Sequence, residues 1–102
     1  MDNKPKVTII MPVYKTEQYI EETIQSVLKQ SYQNIELLCI NDDTPDGAFE
    51  ICKEYQKNYP WIRLIENSKN QGLEFTRNHG LDEMTGDYVL FLDSDDTISG
   101  DM

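Results

Sequence analysis

The stretch DYVLFLDSDD, residues 87–96, decides how this chain is expected to fold. Its apolar half lies between Gly86 and three closely spaced acids, which is the pattern of a short strand buried on both faces. The carboxyl end of such a strand would deliver Asp93, Asp95 and Asp96 to one rim of a sheet. Because three carboxylates this close repel one another, a cation among them would stabilise the cluster. The stretch therefore predicts a divalent-metal site at the end of a buried strand.

Three further apolar runs precede this one, and helical patterns separate the four. The runs cover residues 7–11, 35–40 and 62–66, and the first is expected to end at Pro12. The helical patterns begin at Thr16 as N-cap, at Thr44-Pro45, and after the polar loop 67–72. The resulting order β-α-β-α-β-α-β predicts an α/β fold with a parallel, doubly wound sheet.

Two glycines mark the third helical pattern. Gly86 is the expected stop of this helix. Gly80 lies inside the pattern and weakens a helix there, so its presence predicts close packing against a neighbouring element.

Composition limits the classes of function. The chain of 102 residues is expected to form one domain at most, with residues 1–6 as a polar leader. A net charge of -10 argues against a nucleic-acid partner, which requires a basic face. No apolar run is long enough to span a membrane, and the N-terminus lacks the pattern of a signal peptide. Cys39 and Cys52 lack ligand or redox spacing and are expected to be buried thiols.

These features predict a cytoplasmic protein. Any attachment to the inner face of the membrane is left to segments outside this chain. The third helix also holds His79, which has no Cys or His partner at ligand spacing and is interpreted as a surface or packed residue.

Polar segments follow three of the predicted strands at residues 12–14, 41–43 and 93–96. In an open α/β sheet, ligands bind beyond the carboxyl ends of the strands, where the strand order reverses. All three segments would therefore line one crevice if the first and fourth strands are neighbours. The chain has neither a GxGxxG nor a GxxxxGK[ST] phosphate loop. An acidic crevice can still hold a diphosphate when a hard cation bridges carboxylate and phosphate oxygens.

Four motifs in this order resemble family 2 glycosyltransferases of the GT-A fold. They are VTIIMPVY at 7–14, the acidic stretch at 41–46, NxG with RNxG at 70–80, and FLDSDD at 91–96. The resemblance covers residues 6–96 and implies a Rossmann-like GT-A sheet that stops before the acceptor-binding half. It also implies hexosyl transfer, as in polysaccharide biosynthesis. The donor would be a nucleotide sugar, UDP-linked, and the acceptor would be a hydroxyl of a saccharide or of a lipid-linked molecule.

The resemblance implies roles for individual residues. The turn 12–14 would frame the nucleobase and ribose, Asp42 would accept a hydrogen bond from the base, and Mn²⁺ or Mg²⁺ would be bound by Asp93 and Asp95. The implied donor-binding positions are Pro12, Val13, Tyr14, Glu17, Asp42, Arg77, Asp93 and Ser94. Asp96 has no assigned role. Two positions depart from the family pattern, since Lys15 replaces the usual Asn and Asp43 replaces a common Gly, and Asp43 predicts a changed turn geometry.

The implied reaction inverts the configuration at the anomeric carbon, because the acceptor hydroxyl attacks this carbon in line with the departing diphosphate while a general base takes the hydroxyl proton. No residue here is a candidate for that base, which is expected beyond Met102. The chain alone is therefore expected to bind the donor and a metal ion without transferring sugar.

Two other classes stay open. A receiver-like signalling domain also gathers carboxylates around Mg²⁺, but after strands one and three, whereas the acids here follow strands two and four. A non-catalytic nucleotide-binding domain would not depend on Asp95 for UDP or metal affinity. Nucleotidyltransferases, a third comparison, normally have a Gly-rich basic loop after strand one, which this sequence lacks.

Overall fold

A computed structural model describes residues 4–96 of the chain, so the first three residues of the predicted polar leader lie outside it. The predicted order of strands and helices is confirmed. The elements are β1 (Val7–Val13), α1 (Ile20–Leu28), β2 (Ile35–Asn41), α2 (Ala48–Gln56), β3 (Ile62–Glu66), α3 (Leu73–Glu83) and β4 (Tyr88–Phe91).

The four strands form one parallel sheet in the order β3-β2-β1-β4. β1 lies in the middle, pairs with β2 along its whole length, and pairs with β4 from Val7↔Tyr88 to Ile10↔Phe91. The predicted neighbourhood of the first and fourth strands is therefore confirmed. Strand order reverses at β1, so the loops after β1 and β4 diverge and leave an opening between them.

Helices cover both faces of the sheet, as a doubly wound fold requires. α1 and α2 pack over one face, whose core includes Ile9 and Met11 of β1. α3 packs over the other face, where a Cβ on Gly80 would lie 2.7 Å from Cγ2 of Ile10 and 2.9 Å from Cδ1 of Ile40. The predicted close packing at Gly80 is confirmed. Within residues 4–96 no helix combines the length and the apolar character needed to cross a bilayer.

β1 continues through Pro12, so the prediction that this proline ends the strand is wrong. The Val13 carbonyl accepts a hydrogen bond from the amide of Asp42 in the β2 direction, and the Ile10 carbonyl accepts one from Leu92 in the β4 direction. Because hydrogen-bonding groups alternate between the two neighbours along a strand, the nitrogen of Pro12 faces the β4 side. It lies past the last β1–β4 pair, so the ladder needs no N–H there.

The first two helices begin later than predicted, and the hydroxyls of the expected capping residues, Thr16 and Thr44, bond to Ser94 and Asp46 instead. α1 begins one turn after Thr16, whose hydroxyl lies 2.7 Å from Oγ of Ser94. α2 begins at Ala48, whose amide donates to Oδ1 of Asp46 at 3.1 Å. The predicted start of this helix at residues 44–45 is therefore wrong by about one turn. The side chain of Asp46 accepts the hydrogen bond of the first helical amide.

Gly86 does not end α3, which stops at Glu83. The amide of Gly86 instead donates to Oγ1 of Thr8 at 2.9 Å, and a Cβ on this glycine would lie 2.4 Å from the same oxygen. Gly86 is therefore required for the close approach of the chain to β1, just before β4 begins.

β4 is more exposed than its sequence predicts. Tyr88, Val89 and Phe91 are 63%, 38% and 42% exposed, and within residues 4–96 the strand pairs only with β1. The prediction of a strand buried on both faces is wrong for the described chain. An apolar run indicates that a strand can be buried, but it does not identify the element that covers it.

Candidate functional site

A cavity of about 370 Å³ opens at the carboxyl ends of β1, β2 and β4. The three polar segments predicted to share one crevice all contribute to its walls, which confirms that prediction. Its volume lies within the range of roughly 300–1,000 Å³ that is usual for small-molecule sites. The residues that form its walls are Pro12, Tyr14, Thr16, Asp42, Asn70, Gly72, Leu73, Asp93, Ser94 and Asp95.

One wall is the acidic turn, residues 93–96, which a hydrogen bond of 3.0 Å from the Asp96 amide to the Asp93 carbonyl closes. One carboxylate oxygen from each of Asp93, Asp95 and Asp96 lies within 4.8 Å of the other two. Carboxylate oxygens are the ligands that Mg²⁺ and Mn²⁺ prefer in proteins. The donor set therefore fits a hard divalent cation, and Asp96 joins Asp93 and Asp95 as a possible ligand.

Ser94 anchors the acidic turn to the rest of the protein. Its side chain is buried and bonds with Oγ1 of Thr16, in the loop after β1, at 2.7 Å. Its carbonyl accepts a hydrogen bond of 2.9 Å from Oγ1 of Thr23 in α1. Because the Ser94 side chain is buried, its neighbours Asp93 and Asp95 face the cavity and solvent.

Arg77 reaches the acidic turn from α3. Its Nη2 lies 3.2 Å from Oδ1 of Asp93, and its guanidinium carbon lies 5.5 Å from the centre of the Phe91 ring. Nε of Arg77 is buried and has no hydrogen-bond partner among the described residues. Arg77 does not line the cavity itself, but it places a positive charge at the edge where an anionic ligand would approach the acidic turn.

Asp42 holds the opposite wall. Its Oδ1 accepts hydrogen bonds from the side chain of Asn67 at 2.9 Å and from the Gln71 amide at 2.7 Å. Its Oδ2 accepts from the Gly72 amide at 3.0 Å and from the side chain of Asn70 at 3.3 Å. A carboxylate offers about four lone-pair sites, so the loop 67–72 occupies most of this capacity. Asp42 is only 4% exposed, and any ligand donor would share an oxygen that already has partners.

His79 supports the same wall from α3. Its Nδ1 lies 2.6 Å from Oδ1 of Asn67, which sets the amide so that the NH₂ group faces Asp42 and Thr76. His79, interpreted from the sequence as a surface or packed residue, is half-buried and bonded to the loop.

Three of the predicted donor-binding residues do not line the cavity: Arg77, described above, Val13 and Glu17. The side chain of Val13 is fully buried in the core, and its carbonyl is bonded to Asp42. Glu17 accepts a hydrogen bond from the Gly47 amide at 3.1 Å, and its own amide donates to Asp46. Donor contact by Val13 or Glu17 stays a prediction, whereas Pro12 and Tyr14 do line the cavity.

The two departures from the family pattern share one backbone feature. Lys15 has φ +56° and Asp43 has φ +58°, in the left-handed region that glycine and asparagine tolerate best. Asp43 therefore adopts a conformation that glycine would take readily, at an energetic cost for a residue with a side chain. A turn geometry that differs from the family's stays a prediction.

Sequence reasoning assigned no ligand role to four wall residues. They are Thr16, Asn70, Gly72 and Leu73. The NxG motif at 70–72 was a usable signal, because it follows β3 at the carboxyl edge of the sheet.

Comparison with known proteins identifies the family. The family model Glycosyl transferase family 2 matches residues 8–102. The chain belongs to glycosyltransferase family 2. The glycosyltransferase GlyA of Streptococcus pneumoniae serotype 4 is 45% identical to this family 2 chain over 96 residues, which cover 94% of the chain and 14% of GlyA.

Solved structures confirm the GT-A fold of the family 2 chain. TarS 1-349 of S. aureus in complex with UDP-GlcNAc matches with a TM-score of 0.87 and 31% identity, over 93% of this chain and 28% of that one. The mannosyltransferase PcManGT of Pyrobaculum calidifontis in complex with GDP-Man and Mn²⁺ matches with a TM-score of 0.86 and 26% identity, over 92% of this chain and 28% of that one. The chain thus spans less than a third of the length of each of these proteins.

Proposed function

We propose that this family 2 chain binds the donor of an enzyme that transfers a sugar from a UDP-sugar to a hydroxyl of a saccharide or lipid-linked acceptor. The observation that carries the proposal is that the acidic turn and Asp42 with the loop 67–72 bound the same cavity from opposite sides. The complexes of TarS with UDP-GlcNAc and of PcManGT with GDP-Man support a nucleotide-sugar ligand.

The nucleoside would lie at the Asp42 end of the cavity. Tyr14 offers an exposed aromatic ring there, and base–aromatic stacking stabilises a bound base by about 1–3 kcal/mol. Pro12 provides a rigid apolar surface beside it. Asp42 would accept from the base through an oxygen that also holds the loop 67–72, so base binding and loop position are coupled.

The diphosphate would lie at the acidic turn. Asp93 and Asp95 would hold Mn²⁺ or Mg²⁺, with Asp96 close enough to assist. When bound, such a cation neutralises charge that develops on the departing diphosphate. Arg77 would add a fixed positive charge, and its pairing with Asp93 would be exchanged for contact with phosphate oxygens.

The transfer itself is proposed to be inverting, with the general base supplied from outside residues 4–96. The acids that line the described cavity are Asp42, Asp93 and Asp95, and each already has a proposed role toward base or cation. The chain alone is therefore expected to bind donor without transferring sugar. A cytoplasmic location stays a prediction.

Calorimetric titration with UDP tests the proposal. We expect UDP to bind in the presence of Mn²⁺ and the affinity to fall by at least about 10-fold with EDTA or in Asp95→Asn, since even outer-shell changes at metal sites cost about 10–100-fold. Asp82→Asn is the matched control, because it makes the same charge change at an exposed position on α3.

Each arm has an outcome that contradicts one part of the proposal. UDP binding that is unchanged by EDTA and by Asp95→Asn would contradict the role of the cation in donor binding. It would favour the alternative of a non-catalytic nucleotide-binding domain. Tighter binding of GDP than of UDP under the same conditions would contradict the choice of base.

A further inference from the structure

We propose that Thr23 is a positioning residue for the cation site, acting through the backbone of Ser94 without lining the cavity. The inference rests on the proposed function, because it concerns the cation that the acidic turn would bind. Thr23 lies in α1, a helix whose residues none of the family motifs quoted above includes.

The hydroxyl of Thr23 bonds to the centre of the acidic turn. Its side chain is 1% exposed, and its Oγ1 lies 2.9 Å from the carbonyl oxygen of Ser94. The same hydroxyl lies 3.2 Å from the Tyr19 carbonyl, which is the back-bond that helical threonines commonly form. A hydroxyl carries one proton, and the shorter contact is the one to Ser94.

This bond fixes the peptide unit that leads into Asp95. Because a peptide unit is planar, holding the Ser94 carbonyl toward α1 also sets the direction in which the chain continues to Asp95. The side chain of Ser94 is held separately by Thr16, and Leu92 is held by the Ile10 carbonyl at 3.0 Å. The acidic turn is thus held at Leu92, just before it, and at Ser94, in its centre. The spacing of the carboxylate oxygens depends on this backbone.

Loss of the Thr23 hydroxyl would leave the Ser94 carbonyl buried without this donor. Buried carbonyls are costly without a partner, so the turn would shift to recover a hydrogen bond. Asp95 would move with it, because its backbone follows the Ser94 peptide. Groups that orient metal ligands in this way typically change metal affinity by about 10–100-fold when they are removed.

Titration of the purified protein with Mn²⁺, with free Mn²⁺ followed by electron paramagnetic resonance, tests the inference. Thr23→Val keeps the shape of the side chain but removes the donor, and we expect about 10-fold weaker binding. Thr23→Ser keeps the hydroxyl and should restore affinity close to that of the wild type. If the valine variant does not fold, Thr23→Ala removes the same donor and avoids placing a methyl group against the buried Ser94 carbonyl.

Thr8→Val is the matched control. Thr8 is also a fully buried threonine, but its hydroxyl donates to Oε2 of Glu36 at 2.6 Å, at the opposite end of β1. Its loss should lower stability without changing the Mn²⁺ affinity of the folded protein.

Three results separate the possibilities. Wild-type Mn²⁺ affinity in Thr23→Val or Thr23→Ala would overturn the inference, and so would an equal loss in Thr8→Val, since that would indicate general loosening of the fold. Unchanged Mn²⁺ binding in Asp95→Asn would instead overturn the cation site of the proposed function.

Discussion

Backbone conformation at single residues sets part of the stability of the site. Asp43 follows Asp42 directly and has φ +58°, a region that costs a non-glycine residue about 1–2 kcal/mol. Glycine would remove this cost but would gain more freedom in the unfolded chain, which offsets about 0.4–1 kcal/mol. Asp43→Gly is therefore expected to stabilise the protein by about 0.5–1 kcal/mol.

Urea unfolding of the wild type and the variant measures this difference. Asp43→Ala serves as the control, because alanine retains the Cβ and should not share the gain. A glycine variant no more stable than the wild type would show that the Asp43 side chain compensates for its conformation.

Residue roles were predictable from sequence where they depend on local pattern. The acids of the turn follow an apolar run and could be placed at the sheet rim before any coordinates. Thr23 could not be found in this way, because its partner Ser94 lies 71 positions away and the bond is to a backbone carbonyl. A hydroxyl in a helix gives no sequence signal for such a contact.

At the level of the secondary-structure elements, Glu36 joins three strands and the segment before β4. Its carboxylate accepts hydrogen bonds from Thr8 at 2.6 Å and from the Thr85 amide at 2.7 Å. Lys6 and Arg63 lie 3.7 and 3.4 Å from it. This cluster lies at the amino end of the sheet, opposite the cavity, so it fixes the start of β4 whereas the acidic turn follows its end.

The ionisation of Glu36 is expected to make stability depend on pH. Burial raises the pKa of Glu36, but hydrogen bonds from Thr8 and Thr85 and the charge of Lys6 outweigh burial and lower the pKa from 4.5 to about 2. Because the folded pKa lies below the unfolded one, this stabilisation is present above about pH 4.5 and is lost as the pH falls toward 2. The linked free energy is about 3 kcal/mol.

Unfolding measured between about pH 6 and pH 2 tests this expectation. Glu36→Gln should be less stable than the wild type at neutral pH and should show a flatter pH dependence. Glu50→Gln is the control, because Glu50 forms an exposed pair with Lys53 and should leave the profile unchanged. An equally steep profile in Glu36→Gln would assign the acid sensitivity to other groups.

Element order was predictable, but element boundaries were less so. Apolar runs identified all four strands, and β3 matches its predicted range of 62–66. Thr16 has the right residue type and spacing for an N-cap, but the acidic turn competes for its hydroxyl. The partner of the Thr16 hydroxyl is a contact that only the folded chain creates, so a local pattern cannot reveal it.

At the scale of the whole molecule, the exposed edge at β4 predicts self-association. Val89 and Phe91 remain partly exposed there, and Leu73 and Leu81 of α3 are exposed as well. Edge strands with apolar side chains pair readily with other chains, and a lysine at the edge opposes this. Val89→Lys should therefore reduce association of the purified chain.

Sedimentation velocity over a range of protein concentrations measures the effect. Gln18→Lys adds the same charge at an exposed position in the loop after β1, and it should leave association unchanged. A wild-type chain that sediments as a monomer at all concentrations would contradict the prediction.

The two walls of the cavity are fastened to the scaffold by different hydrogen bonds. Asp42 secures the loop 67–72, whereas Thr16 and Thr23 secure the acidic turn. The Arg77–Asp93 pair links α3, the helix that follows the loop 67–72, to the acidic turn, and such partly exposed pairs couple groups only weakly. Substitutions on one wall should therefore be tolerated by the other. In an evolving lineage, preference for the base and preference for the metal could change in separate steps while the same sheet is inherited.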